Sequence, residues 1–215
     1  MAGAGPDATI AFDQRIARRA AALLARTPAS PNGVTASSIF VGIAAALLLA
    51  RGDAWIHLGA ALFVIAVWMD HVDGELARQT GRTSTFGHYF DHAAAMTNYV
   101  AGFVGAGFGL RHGALGDWGP ILGVTSGVAV AAIMSARLRI EIRDGRSAVR
   151  QTVHRGFEIE DTLYVLGPIT WLGLLPYFIF AAGVGAPIFL LYVLWDLFYG
   201  TRHAQVETVK ERWPR

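Results

Sequence analysis

The chain has 215 residues, 53% of them hydrophobic and 16% charged, with a net charge of +2 and no cysteine. A charged fraction well below the ~25% of an average soluble domain, with a mean hydropathy of +0.41, excludes a disordered chain and argues against an ordinary soluble enzyme. The missing cysteines exclude disulfides, thiolate-bound zinc, iron–sulfur clusters and thiol nucleophiles, so any metal must sit on oxygen or imidazole ligands.

Residues 9–26 predict an amphipathic helix. At ~100° per residue, Arg15, Arg18, Arg19 and Arg26 share one face, and Phe12, Ile16, Ala20, Leu23 and Leu24 form an adjoining apolar face that Asp13 interrupts. This pattern suits a helix lying on a membrane surface with its arginines toward anionic headgroups; a soluble arm packed on a partner fits it as well. No apolar signal-peptide core precedes residue 33.

Stretches free of Asp, Glu, Lys and Arg follow at 36–50, 54–69, 92–110 and 118–136. A last one, 162–195, would be about 51 Å long as a single helix, too long for one crossing of a ~30 Å bilayer core. The run Ala181-Ala182-Gly183-Val184-Gly185-Ala186-Pro187 predicts a turn in its middle. The expectation is therefore an all-α integral membrane protein with six transmembrane helices preceded by an amphipathic surface helix. Residues 1–32 form the arm, 33–200 the six-helix domain and 201–215 a tail. With both termini inside, the outer loops hold only Arg51 and Arg111 of the 18 basic residues, which places the termini in the cytoplasm. Heavy use of arginine and alanine points to a GC-rich bacterial genome, and the localisation expected for such a membrane protein is the bacterial inner membrane. Ala101, Gly105 and Gly109 repeat at four-residue intervals on the third span; such small residues mark either a dimer interface or close packing inside the bundle.

Acids at a membrane edge are costly and suggest function. Asp70 and Asp73 share one face at the inner end of the second span, and Asp91 opens the third span at the same level. A linker over residues 78–86 makes the two helices antiparallel neighbours. Crowded carboxylates need a cation, and hard cations such as Mg²⁺ or Mn²⁺ prefer oxygen ligands and often bridge to substrate phosphates. Gly74, Ala77 and Gly87 give close access to this cluster.

The run from Asp70 through Asp73, Gly74, Ala77 and Arg78, then Gly87 and Asp91, resembles the signature of the CDP-alcohol phosphotransferases, D-x2-D-G-x2-A-R-x8-G-x3-D-x3-D. Seven of its eight defined positions match at the required spacing, and Pro31-Asn32-Gly33-Val34-Thr35 resembles the family's segment before its first span. The resemblance implies attack of an alcohol on the β-phosphorus of a CDP-linked donor, such as CDP-diacylglycerol, with CMP leaving. It implies divalent metal on Asp70, Asp73 and Asp91, a nucleotide site lined by Gly74, Ala77 and Gly87, phosphate contact by Arg78, and Asn32 and Thr35 bordering the cytidine. It also implies a homodimer among membrane lipids, a cytoplasmic active site and no nucleic-acid partner.

The eighth position departs from the pattern. Ala95 stands where the family has the aspartate expected to act as general base and metal ligand. General-base help is typically worth ~10²–10⁴-fold, so impaired activity is expected. An inactive CDP-lipid-binding protein stays open, as does rescue by another residue; His88 lies one turn on the other side of Asp91, His92 is turned away, and Asn98 is no base. A divalent-cation transporter is a further alternative, although no acidic relay leads toward the outer face. The run Arg137, Arg139, Arg143, Arg146, Arg150 and Arg155 reads either as topology and lipid attraction or as an electropositive mouth for an anionic acceptor, with Arg137 the candidate contact. The acceptor alcohol is not encoded in any of these motifs.

Overall fold

A computed structural model describes residues 12–144 and 164–195. The arginines at 146, 150 and 155, the acids Glu158, Glu160 and Asp161, Asp196, and the tail 201–215 lie outside the described residues, as does the arm before residue 12. The described residues form seven helices in chain order: α1 Phe12–Leu24, α2 Pro31–Arg51, α3 Trp55–Thr80, α4 Thr85–Gly109, α5 Trp118–Asp144, α6 Leu166–Trp171 and α7 Leu175–Trp195. Among the described residues there is no strand.

The boundaries follow local chemistry. Ser30 caps α2 by accepting from the Gly33 N–H, with Pro31 at the first helical position. Ser84 caps α4 in the same way through the Gly87 N–H. Gly81, at φ +68°, ends α3 in the left-handed conformation that glycine adopts without strain. The link between α3 and α4 is therefore only 81–84, shorter than the expected 78–86.

α2 packs extensively along both α3 and α4, α5 lies on the other side of α4, and α7 covers α5. Phe63 fills the centre, its ring lying where a side chain at Gly102 would be. Ala45, Leu49, Val67, Tyr99 and Phe103 complete that core. Four helices, α2, α3, α5 and α7, are long and apolar enough to cross a membrane. α4 is not among them, and its position explains why. Its exposed large apolar residues are Phe86 and Tyr89 near one end and Phe108 at the other. The middle of α4 is largely buried in the bundle and carries Thr97, Asn98, Tyr99 and several glycines, which lowers its hydropathy.

One expectation is corrected and two are made more specific. Residues 181–187 form no turn: α7 runs unbroken through them, with Pro187 inside it. The chain breaks instead after α6, where Gly173 has φ +73°. Gly183 is a packing residue whose missing side chain leaves room for Leu122 of α5, and a helix keeps its backbone bonded internally, which a lipid environment demands. Of the two readings open for the stripe on α4, the contacts are those of packing inside the bundle: Gly105 meets the backbone of Ala46 and Gly109 that of Leu49, both on α2. On α1, the buried residues are Ala17 and Ala21, set against Val72 and Leu76 of α3, while Ile16 and Leu23 remain exposed. The small residues allow α1 to dock closely, so the apolar face is split between the protein and the outside.

Candidate active site

At the end of the bundle where α3 stops and α4 starts, the helices spread around a cavity of about 910 Å³. Its walls come from four helices. α2 contributes Asn32 and Thr35, α3 contributes Asp73, Gly74, Ala77 and Arg78, α4 contributes Gly87, His88 and Asp91, and α5 contributes Glu141 and Ile142. Arg82 and the capping Ser84 close it from the α3–α4 link. Eight of the sequence-derived site residues thus line a single cavity: Asn32, Thr35, Asp73, Gly74, Ala77, Arg78, Gly87 and Asp91. Asp70, Ala95 and Arg137 are not on its wall.

The small residues keep the cavity open. A side chain at Gly87 would press on Ser84 Oγ and on Asn32 Oδ1, at 3.1 and 3.3 Å. One at Gly74 would meet the Arg78 guanidinium at 3.5 Å. Glycine at 87 thus lets α4 approach Asn32 of α2, and glycine at 74 leaves space on the cleft wall for a ligand.

Asp73 is only 2% exposed. Its Oδ2 accepts a 2.6 Å hydrogen bond from Thr35 Oγ1. Asp91 approaches both Asp70 and Asp73, and its Oδ1 is buried with no hydrogen-bond donor. Carboxylates so placed repel one another unless charge is compensated. The donor set is all oxygen, which fits a hard divalent cation. Among the described residues no three acidic or histidine side chains enclose one ion position by themselves. That arrangement suits a magnesium-type site, in which one or two carboxylates share the ion with substrate phosphates.

Two further groups were not singled out from sequence. Glu75 joins α1 to the cleft: its carboxylate accepts from Arg78 Nη2 at 2.8 Å and Nε at 3.0 Å, and from Arg18 Nε of α1 at 3.1 Å. Behind Asp73 runs a buried polar seam. Ser38 Oγ donates to the Thr35 carbonyl at 2.8 Å, and Asn98 Nδ2 reaches Ser38 Oγ at 3.4 Å. Ser38 and Asn98 are fully buried, and Gly42 makes room for the Asn98 amide. Polar residues inside apolar helices were the available signal. Ala95 lies one turn beyond Asp91, buried with Tyr99 and Phe103 in the apolar core.

Residues 29–153 match the family described as CDP-alcohol phosphatidyltransferase. Over 108 residues the chain is 35% identical to the phosphatidylinositol phosphate synthase of Streptomyces avermitilis. That match covers 50% of this chain and 43% of the relative, less than half its length. The fold is similar to the crystal structure of Mycobacterium tuberculosis phosphatidylinositol phosphate synthase with CDP-DAG bound. The TM-score is 0.68 at 22% identity, over 86% of this chain and 94% of that one.

Proposed function

This chain belongs to the CDP-alcohol phosphatidyltransferase family, and we propose that it transfers a phosphatidyl group from CDP-diacylglycerol to an alcohol with release of CMP. The observation that carries this reading is the convergence of Asp73, Gly74, Ala77, Arg78, Gly87 and Asp91 on one cavity at one end of an apolar helix bundle. The relatives' names make a phosphorylated inositol the first acceptor to try.

The cytidine lies against Gly74, Ala77 and Gly87, where the lack of side-chain bulk admits a flat group, and Asn32 borders it. Arg78, steadied by Glu75, faces a phosphate. Thr35 acts through Asp73: its hydroxyl hydrogen-bonds that carboxylate and fixes its direction. Asp73 and Asp91, with Asp70 behind them, would share a divalent cation, Mg²⁺ or Mn²⁺, with the substrate, and the ion would supply charge neutralisation at the diphosphate. The cleft holds the acceptor oxygen near the β-phosphorus, and positioning of this kind accounts for much of phosphoryl-transfer catalysis.

The remaining assignments belong to the same proposal. The bundle has six spans, of which α7 is the last, and the chain turns into it at residues 172–174. The acidic end and both termini face the cytoplasm of a bacterial inner membrane, α1 rests on that surface with Ile16 and Leu23 toward lipid, and the protein is a homodimer. Arg137 contacts an anionic acceptor from outside the donor cavity. Ala95 leaves the chain a slow enzyme.

The test is CMP release from CDP-diacylglycerol in detergent or liposomes with Mg²⁺ or Mn²⁺ and a panel of acceptors, comparing the chain with Ala95→Asp. Turnover that rises ~10²-fold in Ala95→Asp supports an impaired transferase. Binding of CDP-diacylglycerol with no turnover in either protein favours a binding-only protein, the reading that the buried alanine supports. No binding and no turnover refutes the proposal.

A further inference from the structure

No base stands at the eighth signature position: Ala95 takes no proton, and it is 7% exposed beside Tyr99 and Phe103. An acceptor that enters the cavity meets a different pair. His88 Nε2 of α4 lies 3.3 Å from Glu141 Oε1 of α5, and both side chains line the cavity. Their side chains are 34% and 22% exposed, buried enough to be held and open enough to be reached. The Tyr89 ring, 5.6 Å away, backs the imidazole.

The chemistry of the pair follows from its geometry. When Glu141 accepts the Nε2 proton, the tautomer is fixed and Nδ1 carries the lone pair. A carboxylate that orients an imidazole and stabilises its protonated form is a recurrent general-base arrangement, known by geometry rather than by sequence position.

We propose that His88, oriented by Glu141, is the general base for the acceptor hydroxyl in this chain. This rests on the transfer reaction proposed above. The acceptor O–H proton passes to His88 Nδ1 as the acceptor oxygen forms its bond to the β-phosphorus. The bond from that phosphorus to the bridging oxygen breaks, and its electron pair leaves with CMP. Glu141 holds the resulting imidazolium until the proton passes to water, so each turnover yields one phosphodiester, one CMP and one proton. His88 is a catalytic residue in this scheme and Glu141 a positioning residue.

The experiment measures CMP release and, separately, the Kd for CDP with Mg²⁺, in the full chain, His88→Asn, Glu141→Gln, Ala95→Asp and the double variant Ala95→Asp/His88→Asn. His88→Asn is expected to lose ~10²-fold or more in kcat with the Kd for CDP changed less than about twofold, and Glu141→Gln to lose kcat with KM held. The double variant is expected to regain the turnover that His88→Asn lost, because the carboxylate then supplies the base. Unchanged kcat in His88→Asn overturns the inference. So does a chain that turns over only with Ala95→Asp, an outcome that leaves the family reaction intact. Binding of CDP without turnover in any variant also overturns it, whereas absence of both binding and turnover defeats the transfer reading itself.

Discussion

α2 meets α4 in two different ways along its length. Toward the α2–α3 turn the backbones nearly touch: Gly105 sits on Ala46, Gly109 on Leu49, and Gly52 on Gly109. Toward Ser30 and Ser84 the contact turns polar and borders the cavity, with Asn32 of α2 near Gly87 of α4 and Thr35 of α2 bonded to Asp73 of the neighbouring α3. The difference separates two tasks. Without a hydrophobic force between helices in lipid, close packing of small residues supplies the adhesion. The closed end can therefore hold the bundle while the open end keeps acids and a cavity that would be costly to build into a tight interface.

The comparison breaks most sharply at the open end. Asp73→Ala should reduce CMP release by ~10²-fold or more while the unliganded Tm stays close to that of the parent, because the residue serves the ligand rather than the fold. Assay and thermal denaturation on the same preparation check both halves. At the closed end the pattern should invert. Gly105→Leu forces a side chain into the Ala46 backbone and should cost about 1–3 kcal/mol, read as a lower Tm in detergent, with CDP binding retained at temperatures where the protein stays folded. Thr35→Val sharpens the contrast, since it keeps the volume and removes the hydroxyl on Asp73. It should weaken Mg²⁺-dependent CDP binding by about tenfold, the usual scale for a residue orienting a metal ligand, with a small change in Tm. The smallest effect is expected at α1: Arg18→Ala opens a partly exposed pair with Glu75 and should cost under ~1 kcal/mol.

Much of this was legible in the residues. The spacing of Asp70, Asp73 and Asp91 brought them together because i, i+3 positions share a helix face and a four-residue link returns the chain at the same level. The glycines of the signature fell on the cavity wall. What sequence could not show arose from packing partners. Gly-Val-Gly-Ala-Pro at 183–187 has the composition of a turn in water, yet it is the helical contact of α7 with α5 at Gly183. The stripe at Gly105 and Gly109 suited a dimer or an internal contact equally, and only α2 decided between them. The α1 wheel identified an apolar face but not that Ala17 and Ala21, rather than Ile16 and Leu23, would meet α3. Glu141 lay in a run read for its arginines, and its distance to His88 depends on how α5 crosses α4, which no local pattern encodes.

The most direct test of the central claim, that the cleft between α2, α3 and α4 is the CDP-donor site, is isothermal titration of CDP with and without Mg²⁺. The full chain and Asp91→Ala would be measured side by side. The account predicts Mg²⁺-dependent binding to the chain and at least a tenfold loss in Asp91→Ala. Equal affinity in the two proteins, or no binding to the chain under either condition, would contradict it.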